Sequence, residues 1–313
     1  MRISLRQACG AFAENTMTPA FRIALACCTF AAVTAVATDA RAQTLDKIKE
    51  AKSIAIGYRE SSIPFSYLDG EQKPIGISMD LCRVIVDRIR QKLSMPSLAV
   101  QYQPVNSSNR IPLIANGTID IECGGTANNA ERQRVVAFSV ATFVSQPRWL
   151  VKTSSGLKSA LDLKGKPVVV TQGSNAVGFA IRISKENNLD LNIQQAKDHA
   201  ESMMMLDTGR AAAFLEDDIL LAGERASMRS PDAFTFLPEG YETIYYGLMF
   251  RKDDPAFKAI VDDTLAGLMK GGEFTALYRK WFESPIPPRG VNLQFPMTEL
   301  LKARVANPSD KLG

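Results

Sequence analysis

Two arginines and a loop of very small side chains lie close together between Asn109 and Arg132. The stretch reads Asn109-Arg-Ile-Pro-Leu-Ile-Ala-Asn-Gly-Thr-Ile-Asp-Ile-Glu-Cys-Gly-Gly-Thr-Ala-Asn-Asn-Ala-Glu-Arg132. A loop made of Gly124, Gly125, Thr126 and Ala127 leaves backbone N–H groups and one hydroxyl open to a bound molecule. Arg110 and Arg132 flank it, and two planar guanidiniums beside bare donors suit a small ligand that carries carboxylates. No side chain in the stretch forms a nucleophile–base pair. The chemistry indicated is binding.

The surrounding pattern must hold that loop in place. Ser53 to Tyr58 reads as a strand, and Ser78 is placed to cap a helix over Met79 to Leu93 whose Leu81, Cys82, Ile85 and Ile89 share one face. Val100 to Gln103 reads as a second strand. Ser108 to Ala115 reads as a short helix closed by Gly117, and Thr118 to Glu122 as a buried strand. Phe138 to Val151 is a long apolar stretch broken by Ser145-Gln-Pro147, which suits a passage between two domains.

After that passage the pattern restarts. The expectation is a strand over Pro167 to Val170, a helix over Ala176 to Glu186, a helix over Asp198 to Thr208, and a strand over Ala211 to Leu215 with Asp217 just past its end. Tyr245 to Phe250 is a second extended apolar run, followed by helices over Ala256 to Met269 and Glu273 to Phe282. Strands alternating with helices predict two parallel-sheet α/β lobes. Crossings near 145 and 245 make the first lobe discontinuous, with residues 43–146 and 246–313 in one lobe and 147–245 in the other.

The N-terminus has Arg2, Arg6 and Arg22 ahead of an apolar run from Ile23 to Ala37, then Ala40-Arg41-Ala42. This is the layout of a secretory signal peptide cleaved after Ala42, so the mature protein is expected to be exported. An uncleaved anchor is the alternative. After residue 42 the chain carries 33 basic and 31 acidic residues, a net charge of +2 with no basic tract, which argues against a nucleic-acid partner. Of the five cysteines only Cys82 and Cys123 remain after that point. They are either two small buried hydrophobes or a disulfide permitted by an oxidising compartment.

Four segments carry a resemblance to a known family: Tyr58-Arg-Glu-Ser-Ser-Ile-Pro-Phe65, Asn109 to Arg132, Ala196-Lys-Asp-His-Ala-Glu-Ser202 and Trp281-Phe-Glu-Ser-Pro-Ile-Pro-Pro288. Gly209-Arg-Ala-Ala-Ala-Phe-Leu-Glu-Asp-Asp218 and Leu221-Ala-Gly-Glu-Arg-Ala226 add to them. The chain resembles the periplasmic glutamate/aspartate-binding proteins of ABC amino-acid importers, in the polar amino-acid branch of the type II binding proteins. The resemblance implies two lobes, each a sheet flanked by helices, joined by a two-strand hinge and closing on the ligand. It also implies a monomer that delivers an acidic L-amino acid to a membrane-embedded ABC permease, with no cofactor, no metal and no turnover.

The resemblance assigns roles residue by residue. Arg132 matches the clamp on the α-carboxylate, and Asp217 the acid that pairs with the α-ammonium. Arg59, Ser107, Arg110 and His199 match the group that receives the side-chain carboxylate, which would favour a charged histidine. Thr171 and Ser174 would supply donors from the second lobe. The family has hydroxyl residues on both sides of Thr126, whereas this chain has Gly125 and Ala127. That departure leaves room for another dicarboxylate or an amide amino acid as ligand. A lyase on the same fold, with Glu122 or Glu216 as general acid, and a sensory input domain are the other classes.

Overall fold

A computed structural model of the protein describes residues 44–312. The expected signal peptide, with cleavage after Ala42, lies outside the described residues. Among those described, no helix is long and apolar enough to cross a membrane.

Two five-stranded sheets organise the structure. The first has the order Ala99–Pro104, Ser53–Tyr58, Ile121–Glu122, Met249–Arg251, Val136–Phe138. The second has the order Asn192–Ala196, Pro167–Thr171, Ala213–Asp217, Pro147–Lys152, Phe234–Gly240. Helices pack on both sheets: Ile77–Leu93, Pro255–Gly271 and Glu273–Phe282 with the first, Ala176–Glu186, His199–Asp207 and Asp218–Ser227 with the second.

Neither sheet is wholly parallel, contrary to the sequence reading. In each, four strands point one way and the single strand that follows a lobe crossing, Met249–Arg251 in the first and Pro147–Lys152 in the second, runs antiparallel to both its neighbours. The reason is connectivity. A strand fed directly by an extended crossing has no helical crossover to turn it round, and parallel pairing requires one.

The crossings form a small antiparallel ribbon. Phe143–Ser145 carries the chain outward and Ile244–Tyr246 brings it back, pairing with Phe143–Ser145 on one side and with Ala127–Asn128 on the other. The predicted single passage over Phe138 to Val151 therefore resolves into three pieces, Val136–Phe138, Phe143–Ser145 and Pro147–Lys152. Phe143 anchors the ribbon to the first core, stacked on Phe282 at 5.0 Å between ring centroids.

Two helix starts differ from expectation. The long helix begins at Ile77 with Gly76 as its cap, and Ser78 instead donates to the Gly124 carbonyl at 3.1 Å. The short helix begins at Arg110 after Asn109, because Asn106 and Asn109 close a polar turn in which Ser108 bonds the Asn106 side chain at 2.8 Å. The predicted strand over Thr118 to Glu122 shortens to Ile121–Glu122.

Cys82 and Cys123 are joined in a disulfide that spans 41 residues of sequence. It ties the buried face of the long helix to the residue that opens the small-residue loop. Constraining a loop of this length stabilises the fold by about 4 kcal/mol in the chain-entropy picture.

Candidate functional site

The ends of four strands meet at one place. Arg59 follows Tyr58, the small-residue loop follows Glu122 and Cys123, Thr171 ends its strand, and Asp217 closes another. Loops beyond the carboxyl ends of parallel strands are where ligands sit in open α/β sheets. The first two loops belong to one lobe and the last two to the other, so the candidate site lies between them.

Arg59, Arg110 and Arg132 are all buried, at 1%, 2% and 8% exposure. Arg59 Nη2 donates to Ser107 Oγ at 3.0 Å and approaches His199 Nε2 at 3.5 Å. Arg110 Nη1 donates to Thr126 Oγ1 at 2.6 Å and to the Gly125 carbonyl at 3.4 Å, with Glu122 Oε1 at 3.8 Å. Thr126 in turn donates to Glu122 Oε2 at 2.7 Å. Arg132 spans the cleft, donating to the Ala127 carbonyl at 2.9 Å and to the Gly173 carbonyl of the other lobe at 3.2 Å. Burial and the neighbouring Arg110 lower both Arg59 and Arg132 to about 10, which leaves each charged at neutral pH.

Gly173 permits this approach. It sits at φ +76°, and a side-chain carbon there would lie 2.6 Å from Ser108 Cα and 2.7 Å from the Ser107 carbonyl carbon. Any larger residue would strain the backbone and hold the lobes apart.

The second lobe supplies the polar partners. His199 opens its helix after the Asp198 cap, and its Nδ1 lies 2.8 Å from Thr171 Oγ1 and 3.6 Å from Glu216 Oε2. Nε2 faces a guanidinium, so it must accept and the proton belongs on Nδ1. A chain of bonds then runs from His199 through Thr171 and Ser202, at 3.0 Å, to the Asp198 carbonyl. Burial, Arg59 and Arg110 hold the histidine well below its usual range. The charged form expected from sequence belongs to the state in which a ligand carboxylate faces the ring. Burial is the larger cause, and the two neighbouring guanidiniums add to it.

Asp217 is buried, with the Tyr246 hydroxyl donating to one oxygen and Asn175 Nδ2 donating to the other at 3.3 Å. Ser174 lies in the loop before the Ala176–Glu186 helix, where its Oγ accepts from the Ala176 N–H at 3.1 Å. Asp217 belongs to the last position of its strand rather than lying past it. An open cavity of about 940 Å³ reaches this end of the site past Arg132, Gly173, Ser174 and Asn175. One of about 270 Å³ reaches the other end past Arg59, Asn106 and Asp198.

The structure thus brings Arg59, Ser107, Arg110, Gly125, Thr126, Arg132, Thr171, His199 and Asp217 to one cleft, with Ser174 at its margin. It adds two buried carboxyl groups to which the sequence reading gave no binding role, Glu216 and Glu224. Burial raises Glu216, with the charge of Asp217 beside it adding to the effect, and burial raises Asp217. Glu224, inside the Leu221–Ala226 motif, is pushed up to about 8 by burial and by Asp198. Its only sequence signal is a glutamate on the buried side of an apolar helix. Among the described residues no group of His, Cys, Asp and Glu is arranged to hold a metal ion.

These raised values predict a pH-dependent stability. Glu224 keeps its proton when folded at pH values where the unfolded chain has lost it, so the folded state binds more protons. Its contribution is complete below about 4.5 and is lost as pH rises through about 8. The size is on the order of 1.4 kcal/mol for each unit of separation. The melting temperature of the ligand-free protein should therefore fall between pH 5 and pH 9, and Glu224→Gln should flatten that fall. Parallel melting curves for the two proteins would overturn this assignment.

Residues 54–284 match the family model of bacterial extracellular solute-binding proteins, family 3. Over 279 residues the chain is 47% identical to an L-glutamate/L-aspartate-binding protein of Pseudomonas aeruginosa, an alignment covering 88% of this chain and 92% of that one. It is 44% identical over 275 residues to a glutamate/aspartate import solute-binding protein of Escherichia coli, covering 88% and 91%. Among solved structures, an ABC uptake transporter substrate-binding protein from Streptococcus pneumoniae with bound histidine superposes with a TM-score of 0.69 at 23% identity, covering 77% of this chain and 97% of that one. That last likeness shows the fold alone. The match across most of the chain, on this two-lobe fold, makes the protein a member of the family 3 bacterial extracellular solute-binding proteins.

Proposed function

We propose that this protein captures an acidic L-amino acid, glutamate or aspartate, between its two lobes and presents the closed form to a membrane-embedded ABC permease. The observation that carries the reading is a set of cationic donors with nowhere else to go. Arg59 Nη1 and Arg110 Nε are buried and have no acceptor among the described residues. A buried donor left unpaired costs about 1–3 kcal/mol, and more when charged, so the site is built to receive an anion. Arg132 then clamps the α-carboxylate, Asp217 pairs with the α-ammonium, and Arg59, Ser107, Arg110 and His199 receive the side-chain carboxylate. Thr126 and the Gly125 backbone hold the loop against Arg110, while Thr171 orients His199.

The assignment of lobes follows the crossings, with 43–146 and 246–313 in one and 147–245 in the other. The ligand contacts both only when the cleft is shut, and that differential contact is what shifts an open–closed equilibrium. The protein works as a monomer in the periplasm, after removal of a leader ending at Ala42. The named functions of the relatives are binding and import, which favours capture over the lyase alternative.

Thermal denaturation against a panel of amino acids and dicarboxylates tests this. Glutamate and aspartate should raise the melting temperature most, by an amount equivalent to about 2.7 kcal/mol at a hundredfold excess over Kd. The ligand should be recovered unchanged after incubation. A larger shift with an amide or a neutral amino acid, or recovery of an altered ligand, would defeat the proposal.

A further inference from the structure

Gly125 and Ala127 flank Thr126 in the small-residue loop, and the surroundings of Gly125 are occupied. A side-chain carbon built on Gly125 would lie 2.9 Å from Phe65 Cδ2 and 3.1 Å from Tyr246 Cε2. Neither ring is free to retreat. Phe65 is packed on Tyr246 and Phe143 at 5.1 Å between centroids and on Phe282 at 5.7 Å, and both Phe65 and Tyr246 are 1% exposed. Tyr246 is also the direct cross-strand partner of Ala127. One aromatic residue therefore stands beside both positions.

The same residue reaches the far lobe. Its hydroxyl donates to Asp217 while Asn175 holds the other carboxylate oxygen at 3.3 Å. Tyr246 lies in the returning hinge strand, so the acid of the second lobe is oriented from the hinge. We propose that Tyr246 is the positioning residue of the ammonium end of this site: its phenol fixes Asp217, and its ring, with that of Phe65, makes glycine a steric requirement at 125. On this account Gly125 is not a donor that has been lost. The ammonium end is specified by one oriented carboxylate. The inference rests on the reading of Asp217 as the partner of the α-ammonium.

Glutamate and glutarate separate the contributions, because they share two carboxylates and only glutamate has the ammonium. Calorimetry on the wild type, Tyr246→Phe and Gly125→Ser provides the test. Tyr246→Phe should weaken glutamate tenfold or more and leave glutarate within twofold, since a hydrogen bond to a charged group is lost only where that group is used. Gly125→Ser should weaken glutamate despite adding a hydroxyl. Equal losses for the two ligands in Tyr246→Phe, no loss for either, or tighter glutamate binding by Gly125→Ser would each overturn the proposal. Tyr246→Phe keeps the ring, so the decision does not depend on the folding of Gly125→Ser. A wild type that prefers another α-amino acid would defeat the acidic-ligand reading alone, and the comparison is then made with that amino acid and its desamino counterpart. A wild type that binds glutarate as well as glutamate would overturn the role of the ammonium, and this inference with it.

Discussion

Replacing Arg132 with alanine is expected to remove measurable binding of every α-amino acid, acidic or not. The side chain offers a planar fork already held by the Ala127 and Gly173 carbonyls, at 2.9 and 3.2 Å, so little order must be gained when a carboxylate arrives. Removing one partner of a buried ion pair costs about 3–5 kcal/mol, which is roughly two to three and a half orders of magnitude in Kd. The same substitution deletes a direct lobe-to-lobe bond, so it should also favour the open form. Calorimetry with glutamate, aspartate and glutamine decides the matter. Affinity kept within tenfold for any of them would show that the α-carboxylate is held elsewhere.

Arg110→Ala is expected to discriminate between ligands. Its proposed partner is the side-chain carboxylate, so glutamate and aspartate should lose about 3–5 kcal/mol and the amides far less. The structure dictates how the comparison must be made. Arg110 also donates to Thr126 at 2.6 Å and faces Glu122 at 3.8 Å, so its loss leaves a buried carboxylate without its cation. That second effect destabilises the loop for every ligand alike. The ratio of acid to amide affinity, rather than either value, is the informative quantity. An unchanged ratio would make Arg110 a brace for Glu122 and Thr126 and nothing more.

Much of this arrangement was legible in the sequence, for identifiable reasons. The Ser53–Tyr58 strand and the Ala176–Glu186 and Glu273–Phe282 helices were predicted with the bounds observed, because strong apolar periodicity is closed at each end by polar residues or glycine. Two strands of the second sheet escaped. Asn192–Ala196 is Asn-Ile-Gln-Gln-Ala, and Phe234–Gly240 contains Pro238 and Glu239. Both lie at edges of the second sheet, where a strand needs less apolar surface to persist. The Asp218–Ser227 and Glu299–Ala306 helices were also unread. Within the cleft, the arginines, His199 and Asp217 came from matched motifs. Tyr246 did not, because in sequence it is one apolar residue in an apolar crossing, and only the pairing with Ala127 brings its hydroxyl to Asp217. The lowered proton affinity of His199 was equally out of reach, since it depends on burial and on two guanidiniums distant in sequence.

The two tryptophans bear on how closure can be observed. Trp149 sits in the Pro147–Lys152 strand of the second lobe, fully buried, its indole N–H on the Tyr241 hydroxyl at 2.9 Å. Trp281 is buried in the first lobe with its N–H on Asp80 at 2.8 Å. Each indole is thus packed into the core of one lobe. When the lobes swing as rigid bodies, neither ring exchanges its neighbours or its solvent. Intrinsic emission therefore reports the integrity of each lobe and stays silent on ligand capture. An optical sensor made from this protein needs a dye introduced at the rim of the cleft.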